Sequence, residues 1–125
     1  MEAFDKYVSK YDMNNKKIKI KYFHSYRVMS LSKKYATLLN WNKHDIELAS
    51  VIGLLHDIGR FEQQRIYHTF DDSKSIDHAH YGVQELFEKG YIKYFWNNPK
   101  DYEIIKFAIE NHTNMKLLKL TIKEH

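Results

Sequence analysis

Between His56 and Arg60 the chain sets an imidazole, a carboxylate and a guanidinium at the end of an apolar run. Every residue from Leu48 to Leu55 is apolar or small, and a helix apolar on all sides belongs in the middle of a domain. Polar and charged groups at the end of such a helix need partners, because burying them alone is costly. At about 100° per residue, His56 and Asp57 point to neighbouring sides, with Gly53 between them one turn earlier. The missing side chain of Gly53 predicts a hollow beside them. Imidazole and carboxylate together suit a divalent cation such as Mn, Fe, Zn or Co. Gly59 is expected to permit the turn that ends the helix, leaving Arg60 at the mouth. A second His-Asp pair, His44-Asp45, has a structural explanation: Asn42 caps the helix and Asp45 complements the dipole in its first turn.

The elements that must position these groups read as helices. Phe4, Tyr7, Val8 and Tyr11 mark a short amphipathic opening over 3–12, broken at Asn14-Asn15. A helix over about 17–39 carries a stripe of His24, Val28, Leu31, Tyr35 and Leu38, expected to face the core with Arg27 on its flank. The central helix follows over about 43–58. The connection from Arg60 to Lys74 has no sustained period and reads equally as an ordered lid or as a helical extension followed by a loop. Ser75 is the expected cap of a helix over 76–88, with Ala79, Val83, Leu86 and Phe87 inward and His78 and His80 flanking that face on opposite sides. Tyr91 to Trp96 reads as an aromatic packing cluster. Asn98-Pro99 opens a last helix reaching His112, which falls within its stripe of Ile104, Ile105, Ala108 and Ile109. Leu117, Leu118, Leu120 and Ile122 are too apolar for a free tail.

Composition narrows the classes. A chain of 125 residues without a long Gly, Ser or Pro tract predicts one domain over 1–125. With one proline and few alternating β-branched runs, the fold expected is all-α, a bundle of about five or six helices. No run reaches the ~18–20 apolar residues of a membrane span, and no signal peptide is evident. The absence of cysteine excludes thiolate ligands and a cysteine nucleophile, and fits a cytoplasmic location. A net charge of +4 spread over many lysines suits a small anionic substrate better than specific nucleic acid. Eight histidines are the compositional oddity. His24, His56, His78 or His80, and His112 come from four helices, and polar side chains converging from facing helices are how all-α proteins build metal sites.

These residues resemble the HD-domain metal-dependent phosphohydrolases, whose pattern is a histidine on one helix, an adjacent His-Asp on a central helix and a later aspartate. His24 in Phe-His-Ser-Tyr-Arg-Val matches the first, and His56-Asp57 in Leu-Leu-His-Asp-Ile-Gly-Arg the second. Members with two metals add two histidines, one standing four residues before a glycine as His78 does before Gly82, the other ending a helix as His112 does. The resemblance covers roughly residues 22–112 and selects His78 over His80. The segments Arg60-Phe61-Glu62-Gln63 and Thr69 to Ser75 look like a bacterial branch of that family.

The resemblance implies one or two divalent ions (Mn, Fe, Mg, Zn, Ni or Co) held by His24, His56, Asp57, His78 and His112. The activity it implies is hydrolysis of a nucleotide or other small phosphate ester by metal-activated water. Asp57 and Arg60 would be catalytic, and Arg27, Arg60 and Arg65 are candidates for the substrate phosphate, which guanidinium matches bidentately. Since no aspartate follows Asp101, the expected domain is C-terminally incomplete relative to the family, and a homo-oligomer is one route to a further carboxylate. A non-catalytic nucleotide- or metal-binding module and an HD-type di-iron oxygenase are the alternatives.

Overall fold

Short polar side chains start three of the described helices. Asn15 accepts the amides of Lys17 and Ile18, Asn42 that of Asp45, and Asp77 that of Ala79, each satisfying donors that the first helical turn leaves open. In the computed structural model, which describes residues 2–111, the resulting order is α1 (Glu2–Val8), α2 (Lys16–Leu38), α3 (Lys43–Leu55), α4 (Gly59–Tyr67), α5 (His78–Val83) and α6 (Tyr102–Glu110). A π-helical turn, Gln84–Glu88, prolongs α5, and 3-10 turns at Asp72–Lys74, Tyr91–Tyr94 and Pro99–Asp101 fill the connections. Among the described residues there is no strand, so the all-α expectation holds. No helix among them is long and apolar enough to cross a membrane. His112 and the apolar residues after it lie outside the described residues.

The core is built on α3. Leu48, Ala49, Val51, Ile52, Leu54 and Leu55 are buried, as is Ile58 in the turn beyond. Burying each large side chain contributes about 1.5–3 kcal/mol relative to exposure. The helix pairs most extensively with α2 and also meets α6. From α1, Phe4 sets its ring edge-on to Tyr26 and Phe61. The Tyr7 hydroxyl donates to fully buried Glu85 (2.6 Å) and the Tyr11 hydroxyl to Glu62 (2.7 Å). These bonds tie α1 to the π turn and the segment just after α1 to α4.

Several local expectations give way. The inward line of α2 is Ile18, Ser25, Ser32 and Ala36, whereas Leu31, Tyr35 and Leu38 of the expected stripe are exposed. Small residues win that face because α3 comes close: a Cβ on Gly53 would stand 2.6 Å from Ser32 Oγ and 2.9 Å from the Val28 carbonyl. Gly53 therefore makes room for helix packing and leaves no hollow for an ion. α3 ends at Leu55, and tight i→i−3 bonds carry the chain over residues 56–58 into α4. Gly59 opens that next helix. A Cβ there would lie 1.8 Å from the His78 carbonyl oxygen, so the glycine is required by the contact with α5. The first half of the 60–74 connection is helical, as the helical-extension reading expects. Asp77 replaces Ser75 as the cap of α5, while Ser75 receives a bond from Gln63.

Candidate metal centre

Two helices and one turn bring three imidazoles to one carboxylate. α2 contributes His24, the turn after α3 contributes His56 and Asp57, and α5 contributes His78 at its first residue. Asp57 Oδ2 lies 3.3 Å from His56 Nε2 and 3.7 Å from His24 Nε2, while Oδ1 lies 3.2 Å from His78 Nε2. The His24 and His56 rings stand 5.6 Å apart, centre to centre. Ligating atoms of His24, His56 and Asp57 all fall within 4.8 Å of one another, a spacing at which one ion could be shared. His78 and Asp57 are buried, and His24 at 36% side-chain exposure is the open side of the cluster.

The far edges of two rings decide how the near edges behave. His56 Nδ1 sits 2.6 Å from the Gly53 carbonyl, which can only accept, so Nδ1 carries the proton. His78 Nδ1 sits 3.1–3.2 Å from the Asp72 carboxylate and is assigned the same way. In the neutral rings both Nε2 atoms then present lone pairs toward the oxygens of Asp57. Lone pairs facing lone pairs at this range require positive charge between them, either protons on the rings or a cation. Anchoring a ring through Nδ1 to a carbonyl or carboxylate is how ligating histidines are oriented. The donor set thus fits a divalent ion.

Charge in the cluster follows its packing. Burial acts to raise the Asp57 carboxyl, but the His56 and His78 rings and the Lys21 ammonium outweigh it and hold the group far below the usual carboxylate range. Lys21 Nζ is 3.2 Å from Asp57 Oδ2. Burial, and after it the charge of Lys21, lowers His24, with Arg27 adding in the same direction. His24 is thereby favoured in the neutral form that can ligate.

The remaining expected residues fall elsewhere. His80 is exposed, in contrast to His78. Arg60 turns back to Gln63, the Phe70 carbonyl and Asp72, pinning the segment after α4. Arg65 grips Glu62 through Nε and Nη2 at 3.0 and 2.8 Å. Exposed Arg27 enters the field of His24. His44 bridges Asp45 and Asp101, matching its structural reading. Two residues of the cluster escaped sequence reasoning. Lys21 precedes His24 by one turn, a helical-neighbour relation that could have flagged it. Asp72 lies in a connection where spacing carries no information.

The family model described as HD domain matches residues 22–124. The chain belongs to the HD-domain family. HD domains bind divalent metals and are commonly metal-dependent phosphohydrolases, and the matched stretch contains His24, His56-Asp57 and His78. No curated protein and no solved structure matches this HD domain significantly.

Proposed function

We propose that the chain is a metal-dependent phosphohydrolase acting on a small phosphate ester, with nucleotides the first class to try. The observation carrying this reading is the convergence of three Nε2 atoms on one buried carboxylate, with two of the rings oriented from behind. His24, His56 and Asp57 would hold the ion, and His78, with His112 outside the described residues, would serve a second. A divalent ion held there supplies Lewis acidity, acidifying water and neutralising charge on a phosphoryl oxygen. Asp57 would orient a water molecule through a carboxylate oxygen, its strongly lowered pKa making it a poor proton acceptor. Arg27 adds positive potential at the open His24 side, where an anionic ester would arrive. Arg60 supports the fold of the site through Asp72 in place of the substrate role expected for it, and Arg65 is committed to Glu62.

A regulatory module that binds metal without turnover is the second reading, favoured by the single carboxylate in the His24, His56 and Asp57 group. A panel of nucleotides and other phosphate esters, assayed with Mn, Fe, Co, Ni, Zn and Mg, separates the two. The hydrolase reading expects phosphate release that depends on the ion and is lost in Asp57→Ala. Stoichiometric metal binding with no ester turned over would support the module.

A further inference from the structure

The cluster already contains a cation. Lys21 Nζ lies 3.2 Å from Asp57 Oδ2, the oxygen that also faces His24 and His56. Its side chain is only 17% exposed, and its ammonium stands 5.4 Å from the centre of the Phe70 ring. Of the other nearby cations, Arg60 is turned onto Asp72 and Arg27 is solvent-exposed. Lys21 thus places its side-chain nitrogen in direct contact with the carboxylate.

We propose that Lys21 is the resident counter-cation of Asp57 and limits how tightly the cluster holds a divalent ion. The inference rests on the reading that His24, His56 and Asp57 form a metal site. An ammonium touching Asp57 competes for the same oxygen and repels a dication strongly at this range, even at the effective dielectric of a partly wet site. The ammonium therefore compensates Asp57 when no ion is bound and opposes the ion that would replace it.

Calorimetric titration of the metal-free chain with Mn²⁺ at low salt, on wild type, Lys21→Met and Lys21→Arg, tests this, with thermal melts before and after saturation. The expected result is at least tenfold tighter Mn²⁺ binding in K21M and affinity within threefold of wild type in K21R. K21M should also melt below wild type without metal and gain more on saturation. A purely structural lysine would lower both melts equally and leave affinity unchanged or weaker, which overturns the proposal. If metal-free K21M does not fold, both proteins are purified loaded and Mn²⁺ release to a chelator is timed. Slower release from K21M supports competition, and equal or faster release overturns it. Mn²⁺ binding to neither protein would instead overturn the metal reading, whereas binding to wild type with no gain in K21M defeats the role of Lys21 alone.

Discussion

Asp72 holds His78 in two places at once: its carboxylate accepts the His78 amide at 3.1 Å and meets ring Nδ1 at the same distance. The same carboxylate receives Gln63 Nε2 at 2.7 Å and Arg60 Nη1 at 3.1 Å. One residue therefore joins α4, the following connection and α5, and aims Nε2 of His78 at Asp57.

Replacing Asp72 by Ala should cost about 1–3 kcal/mol, the range for leaving hydrogen-bonded polar groups without a partner. Where His78 ligates metal, affinity for the ion it holds should also fall about 10–100-fold, as losses behind a ligating histidine do. Urea unfolding and metal titration of D72A measure the two effects separately. Unchanged affinity in a folded variant would mean that His78 is oriented without Asp72.

Two glycines should respond differently to alanine. A Cβ at Gly59 would press on the backbone of His78, which cannot yield without parting α4 from α5. Gly59→Ala is expected to destabilise by at least about 1–3 kcal/mol, the cost of overpacking, and to disturb the site. Gly90, at φ 81° with nothing within 4 Å of an added Cβ, carries conformational cost alone, about 1–2 kcal/mol. Denaturant midpoints, read beside metal affinity, distinguish them: G90A should leave the affinity as it is.

His44 provides a pH signature independent of the site. Hydrogen bonds to Asp101 and then Asp45 raise it above the ordinary imidazole value. A group raised on folding contributes fully below its unfolded pKa of about 6.5 and loses that contribution as pH rises through the folded value. The stability advantage of wild type over His44→Gln should therefore shrink as pH rises above the ordinary imidazole range. Denaturation curves at several pH values check the sign, and an advantage that grew with pH would reverse the assignment.

The buried central helix was legible because its apolar residues leave no polar face, and such a segment has one place to go. The α2 stripe was misread for a related reason. That helix carries apolar residues on more than one side, and periodicity cannot tell that Ser25, Ser32 and Ala36 face inward because α3 packs closely there. The second half of the 60–74 connection hid its purpose in the same way. Its anchors are polar contacts, from Arg60 and Gln63 to Asp72, and tertiary hydrogen bonds leave no period in a sequence. His56 and Asp57 were visible through adjacency at a helix end, while the choice of His78 over His80 came from resemblance and not from periodicity.

If His24, His56 and Asp57 hold a divalent ion as proposed, the ion should accompany the purified chain. Elemental analysis of the purified chain, beside Asp57→Ala and His56→Ala variants whose helical content is checked by circular dichroism, tests it most directly. The wild type should carry a stoichiometric transition metal, and both folded variants should lose it. Undiminished metal content in Asp57→Ala would contradict the proposal.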